Sequence, residues 1–199
     1  MQGHRPSASR HDGPATILLL NGASSSGKST LGRALQKVMD TPFLYFSSDQ
    51  LVEAEVIPAL PANPPGPEWE WASIRPRFFD GFHRCIAALA EAGNDLIVEH
   101  VLERRDWFED CVSLLSRFEV FYVGVHCPLP ELERRERSRG NRKIGEGRSH
   151  LEDGVHTWGP YDFEIDTSSG DPDANAMRVK AAFRDRPGRG VFRRMAEGE

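Results

Sequence analysis

Apolar residues recur along this chain at two spacings, and their alternation outlines the fold. Runs of strand length, rich in aliphatic or aromatic residues, occupy residues 15–20 (ATILLL), 42–47 (PFLYFS), 94–101 (NDLIVEHV), 119–127 (EVFYVGVHC) and 163–167 (FEIDT). Between them the spacing turns helical. Residues 29–40 place Leu31, Leu35 and Val38 on one face, and helices are also predicted from Ser48 onward, from the Trp69/Trp71 region to about Gly93, and over 105–117, 129–139 and 172–183. Strands alternating with helices predict an α/β domain of three layers around a parallel sheet. Residues 58–68 (PALPANPPGPE) hold five prolines and a glycine, so regular structure stops there, and 58–72 reads as a loop or cap over a site. The domain is assigned to 15–185, with a disordered N-terminal tail at 1–14 and a C-terminal tail at 186–199. No internal repeat is visible.

Composition adds mainly exclusions. A chain of 199 residues is most simply one domain, able to bury roughly 70% of the surface its unfolded chain exposes. Its net charge of −5 argues against a general nucleic-acid binder. Residues 1–14 contain no apolar run, so they are read as neither signal peptide nor anchor, and no stretch approaches the ~20 apolar residues of a membrane span. Cys85, Cys111 and Cys127 are odd in number and widely spaced, which reads as buried inert thiols and a cytoplasmic protein. Oligomeric state is not readable.

The chemistry concentrates at residues 18–30, LLLNGASSSGKST. Gly22, four residues, Gly27, Lys28 and Ser29 fit the G-x-x-x-x-G-K-[ST] pattern, set between a predicted strand and a predicted helix. The two glycines allow turns that a Cβ resists and bring backbone N–H groups close to an anion. The loop amides of Gly22, Ala23, Ser24, Ser25, Ser26, Gly27, Lys28, Ser29 and Thr30 are the candidate phosphate contacts, reinforced by the positive end of the helix. Lys28, expected to stand exposed, can reach the β- and γ-phosphates of ATP, and the Ser29 hydroxyl can ligate Mg²⁺. A flexible Ser/Gly-rich loop is the bland alternative, and the strand–loop–helix context argues against it.

Three further groups stand out. Asp49 follows the second strand, at the sheet edge where ligands bind, and suits either a base facing a hydroxyl or a helix N-cap alongside Ser47 and Ser48. Residues 134–148 (RRERSRGNRKIGEGR) hold seven basic residues, broken by glycines. Such a run suits a lid over 134–150 whose guanidinium groups close on phosphates. Arg139 and Arg142 flank the break and are the best candidates, whereas Arg134, Arg135 and Arg137 read as a solvated face. Glu99 and His100 end the third strand, where an acid can hold the water of a metal, and His100 reads equally as a satisfied polar residue. His83 reads as structural or substrate-facing rather than as a ligand. Trp69, Trp71, Phe78 and Phe79 suit either the wall of a pocket for a ring-bearing ligand or plain core.

The strings ILLLNGASSSGKST, FSSDQL, AGNDLIVEHVL, VGVHCPLPELERRERSRGNR and YDFEIDTS, in this order, resemble the chloramphenicol phosphotransferase-like family over about residues 15–185. That resemblance implies a P-loop kinase fold with five parallel strands in the order 2-3-1-4-5. It implies transfer of the ATP γ-phosphate to an alcohol of a small molecule, an antibiotic among the candidates. It also implies Asp49 as general base, Lys28 and Ser29 as nucleotide and Mg²⁺ contacts, and Arg139 and Arg142 as lid arginines. Glu99 departs from the more usual aspartate, and the Pro- and Trp-rich 58–72 segment need not match an antibiotic-binding cap. A kinase for a sugar acid, a nucleoside or adenylylsulfate, and a non-catalytic nucleotide-binding switch, are the other readings.

Overall fold

The structure is a computed structural model that describes residues 13–139 and 144–199. Five parallel strands, β1 (Thr16–Asn21), β2 (Phe43–Ser47), β3 (Asp95–His100), β4 (Glu119–His126) and β5 (Phe163–Asp166), form one sheet in the order β2-β3-β1-β4-β5. The helices are α1 (Lys28–Val38), α2 (Ser48–Glu53), α3 (Trp71–Glu91), α4 (Arg105–Leu115), α5 (Leu129–Arg139), α6 (Glu146–Glu152), α7 (Pro172–Asp185) and α8 (Val191–Ala196). The sequence-based α/β architecture and strand order hold.

Alternation along each strand divides the core. Ile17, Leu19, Leu96, Val98, Val120 and Tyr122 face one side, packing with Phe82, Phe108, Cys111 and Phe192. Leu18, Leu20, Ile97, Phe121 and Val123 face the other, against Leu31, Leu35, Ala176 and Val179. Both faces are covered, which is why the strands read as continuous apolar runs. The register sets Ser47 beside Glu99 and Asn21 beside His100, so the ends of β2, β3 and β1 meet at one edge.

Several expectations change. The 186–199 segment is more than a tail: α8 docks on the sheet, with Val191 and Phe192 fully buried, each contributing about 1.5–3 kcal/mol of burial. Its entry is fixed by the Val191 N–H donating to Asp162 Oδ1 at 2.8 Å. Cys111 and Cys127 are buried as expected, but Cys85 is exposed. The buried positions Phe82, His83, Ile86, Ala87 and Ala90 mark the inner face of α3, and Cys85 lies outside it. Helix α6, unexpected within the presumed lid, is anchored by buried Glu136 of α5, whose carboxylate accepts the N–H groups of Gly145 (2.8 Å) and Gly147 (2.7 Å). No helix among the described residues is long and apolar enough to cross a membrane.

Candidate active site

The loop between β1 and α1 is a cradle open to an anion. A Cβ on Gly22 would collide with the carbonyl oxygen of Val125, so only glycine lets the chain pass beneath β4. Gly27 takes φ 91°, in the left-handed region, and starts α1 without a side-chain cap. The first-turn N–H groups of α1 have no intrahelical acceptors, which favours a negative ligand. Among the described residues the buried hydroxyls of Ser25 and Ser26 have no hydrogen-bond partner, the unmet polar groups expected where an anion binds.

Lys28 is buried at 4% exposure, not exposed as expected. Its ammonium folds back over the loop and donates to the carbonyls of Gly22 (2.9 Å) and Ala23 (2.8 Å), with Glu99 Oε1 3.9 Å away. Main-chain carbonyls of its own loop stabilise the charge there, a tertiary arrangement invisible in the motif. Ser29 donates to Glu99 Oε1 at 3.0 Å, and the Tyr45 hydroxyl donates to Glu99 Oε2. Burial, then the Glu99 charge, pushes the Tyr45 phenol well above its ordinary pKa. A hard cation wants oxygen ligands, and Ser29 and Glu99 supply an oxygen pair beside the cradle, so the residues fit Mg²⁺.

Across the cleft stands Asp49. The N-cap of α2 is Ser47, whose Oγ accepts the Gln50 N–H (3.2 Å) while Gln50 Oε1 accepts the Ser47 N–H (3.0 Å). Capping is therefore assigned to Ser47, and Asp49 sits in the first turn, lining the same cavity of about 260 Å³ as Lys28, Ser29 and Glu99. Trp71, Phe78, Phe79 and Trp107 wall the cavity, with the Arg75 guanidinium 4.6 Å from the Trp107 ring centroid and paired with Glu103. Of the proposed aromatic wall, Trp69 alone stays outside the lining; Trp107 was missed, because in sequence it is simply the apolar face of α4.

His100 lies buried behind this wall. The Val101 N–H donates to its Nδ1 (2.9 Å), so its proton is on Nε2, which donates to His83 Nε2 (2.8 Å). His83 in turn donates from Nδ1 to Asp110 Oδ2 (2.7 Å). Burial lowers both imidazole pKa values, His100 furthest, and keeps the pair neutral. With Cys111 the two rings form a cluster of potential metal ligands, but these bonds satisfy both rings without a cation.

On the other side of the loop, a cavity of about 270 Å³ is lined by Gly27, Thr30, Arg135, Thr167 and Pro172, among others. Arg135, expected on a solvated face, instead bridges α5 to this cavity. Its guanidinium donates to Thr167 O (2.6 Å), Glu131 Oε1 (2.7 Å) and, at 3.4 Å, Ser25 O. The lid candidate Arg142 lies outside the described residues, and the Arg139 side chain does too. Helix α6 of the presumed lid reaches the loop by other means: Ser24 donates from its N–H to His150 Nδ1 (3.0 Å) and from Oγ to Glu146 Oε2 (2.9 Å).

Strand order, cradle and the two flanking cavities define the class: a kinase-type enzyme on the P-loop fold. The family is narrower than the class. Residues 15–184 match the chloramphenicol phosphotransferase-like family, and the chain belongs to it. A Mycobacterium tuberculosis protein named "Putative O-phosphotransferase" is 28% identical over 170 residues, covering 77% of this chain and 75% of that protein. Among solved structures, the Mycobacterium tuberculosis APS kinase in complex with AMPPNP and APS has a TM-score of 0.61 at 16% identity, covering 87% of this chain and 99% of the other. Shikimate kinase from Aquifex aeolicus has a TM-score of 0.57 at 15% identity, covering 84% and 96%. At these identities the structural likeness is one of fold.

Proposed function

We propose that this enzyme transfers the γ-phosphate of ATP to a hydroxyl of a ring-bearing small molecule, with hydroxylated antibiotics among the candidates. The observation that carries the reading is that Asp49 lines the same cavity as Lys28 and Ser29, so an acceptor bound there meets both a carboxylate and the end of the phosphate cradle. The acceptor oxygen attacks the γ-phosphorus, its bond forms as the bond to the β–γ bridging oxygen breaks, and ADP leaves. Asp49 orients the hydroxyl and takes its proton. Lys28 leaves the Gly22 and Ala23 carbonyls to follow the phosphates, and Arg135 steadies the loop from the opposite side; Arg139 and Arg142 are the sequence-based candidates for neutralising the transferring group. Ser29 and Glu99 hold Mg²⁺, which when bound neutralises phosphate charge. A cytoplasmic setting goes with ATP as donor.

A nucleotide-binding switch has no need of a carboxylate facing an acceptor cavity. The test is ATP consumption with and without a panel of hydroxylated antibiotics, nucleosides and sugar acids, with products read by mass. Consumption that appears only with an acceptor, and an acceptor heavier by one phosphoryl group, supports the reading. Slow hydrolysis indifferent to every alcohol would sink it in favour of the switch.

A further inference from the structure

Asn175 lies in the first turn of α7, 6% exposed, and lines the cavity beside Thr30, Arg135, Thr167 and Gly170. Its main-chain N–H donates to Asp171 O (3.0 Å), and the cap of the helix is Asp171, whose side chain accepts the Ala174 N–H (3.2 Å). The Asn175 carboxamide, by contrast, has no hydrogen-bond partner among the described residues. A carboxamide that no protein group pairs turns its donor and acceptor to the solvent or ligand that fills the cavity beside it. Gly170 adds no cover: a Cβ placed there would stand 3.5 Å from Oδ1 and 3.6 Å from Nδ2. The carboxamide therefore opens onto the cavity. That cavity meets the acceptor cleft at Gly27, which lines both. A nucleotide whose phosphates lie along the loop, with its γ-phosphate toward Asp49, has its base on the Asn175 side.

We propose that Asn175 reads the adenine edge, accepting from the 6-amino group through Oδ1 and donating from Nδ2 to the adjacent ring nitrogen. A carboxamide offers one acceptor and one donor side by side, and adenine offers the complementary pair. Arg135 cannot substitute, because a guanidinium has only donors and this one is committed to Thr167 O and Glu131. The inference rests on the nucleotide reading of the loop and goes beyond it by assigning the residue that recognises the base.

The test is direct binding, by calorimetry, of ATP, purine riboside triphosphate (adenine without its 6-amino group) and inorganic tripolyphosphate. Wild-type protein is expected to bind ATP about ten-fold more tightly than the analogue. Asn175→Ala is expected to bind ATP and the analogue alike, with tripolyphosphate affinity unchanged. Asn175→Leu, closer in volume, serves where the smaller side chain fails to fold, and the wild-type comparison needs no variant. Equal binding of ATP and the analogue by wild type, or an undiminished difference in the folded variants, overturns the role of Asn175 and leaves the loop reading intact. Binding of neither ATP nor tripolyphosphate by wild type overturns the nucleotide reading itself, and this inference with it.

Discussion

The hydroxyl of Ser29 donates to Oε1 of Glu99 at 3.0 Å, tying the first turn of α1 to the end of β3. The bond brings together a motif residue and a carboxylate 70 positions away, an oxygen pair of the kind a hard cation such as Mg²⁺ prefers. Glu99→Gln keeps the shape and an acceptor for Ser29 or Tyr45, but removes the charge. With an identified acceptor and saturating ATP, the Mg²⁺ concentration giving half-maximal turnover should rise by ~10-fold or more. An unmoved Mg²⁺ titration with reduced thermal stability would make Glu99 a structural acceptor only.

Arg135 offers a second test, because its fork touches both Thr167 and the loop. Arg135→Ala should weaken ATP binding by roughly ten-fold, the scale of one charge-assisted hydrogen bond. Arg135→Lys should restore little, since an ammonium cannot reproduce the fork. The measurement is ATP affinity by calorimetry, paired with thermal unfolding. A loss of melting temperature at constant ATP affinity would reduce Arg135 to a bracket between α5 and β5.

The contrast between Ser29 and Arg135 shows where sequence reasoning reaches. Strands buried on both faces and helices with a 3.6-residue period announce themselves locally, so the sheet, α1, α4 and α5 were legible. The phosphate loop was legible too, because its function resides in consecutive backbone groups. Arg135 was not, because α5 carries arginines in successive turns and only the approach of β5 and the loop distinguishes one from the next. Helix α6 hid among the glycines at 145 and 147, its start set by Glu136 rather than by a local cap. Lys28 was misjudged for a related reason: its burial depends on carbonyls that turn inward only once the loop is built. Asn175 drew no notice, since an asparagine in a first helical turn ordinarily reads as local capping.

Acid should destabilise the fold through His156. Its ring Nδ1 lies 2.6 Å from the Tyr161 hydroxyl and its ring stacks on His126, with centroids 4.1 Å apart. Burial first, and the neighbouring His126 second, lower its pKa from 6.5 to about 4. Because the folded pKa is the lower one, the unfolded chain takes up the proton first as pH falls. The stability contribution is thus complete above 6.5, falls as pH drops from 6.5 toward 4, and changes no further below that. The buried imidazoles of His83 and His100 and the half-buried one of His150, also lowered chiefly by burial, act in the same sense. Melting temperature should therefore fall between pH 6.5 and 4, and more steeply for wild type than for His156→Gln. Parallel pH profiles for the two proteins would show that His156 contributes nothing to the dependence.

Asp49 carries the sharpest test, since the structure assigns capping of α2 to Ser47 and Gln50. Asp49→Asn preserves side-chain shape and leaves that capping box untouched. The cost to stability should stay within ~1 kcal/mol, the scale of removing one carboxylate from a first helical turn. The cost to catalysis should be far larger, because an amide cannot take the acceptor proton: roughly 10²–10⁴-fold in kcat. The loose character of phosphoryl transfer favours the lower end, since little proton transfer is needed early. ATP affinity should hold, as the loop amides and Lys28 lie across the cleft. The decisive comparison is kcat with an identified acceptor, beside ATP affinity and melting temperature, for wild type and Asp49→Asn. A near-wild-type kcat would remove Asp49 from the chemistry and shift attention to Glu99, the other carboxylate at this edge of the sheet, whose own variant would then lose turnover at every Mg²⁺ concentration.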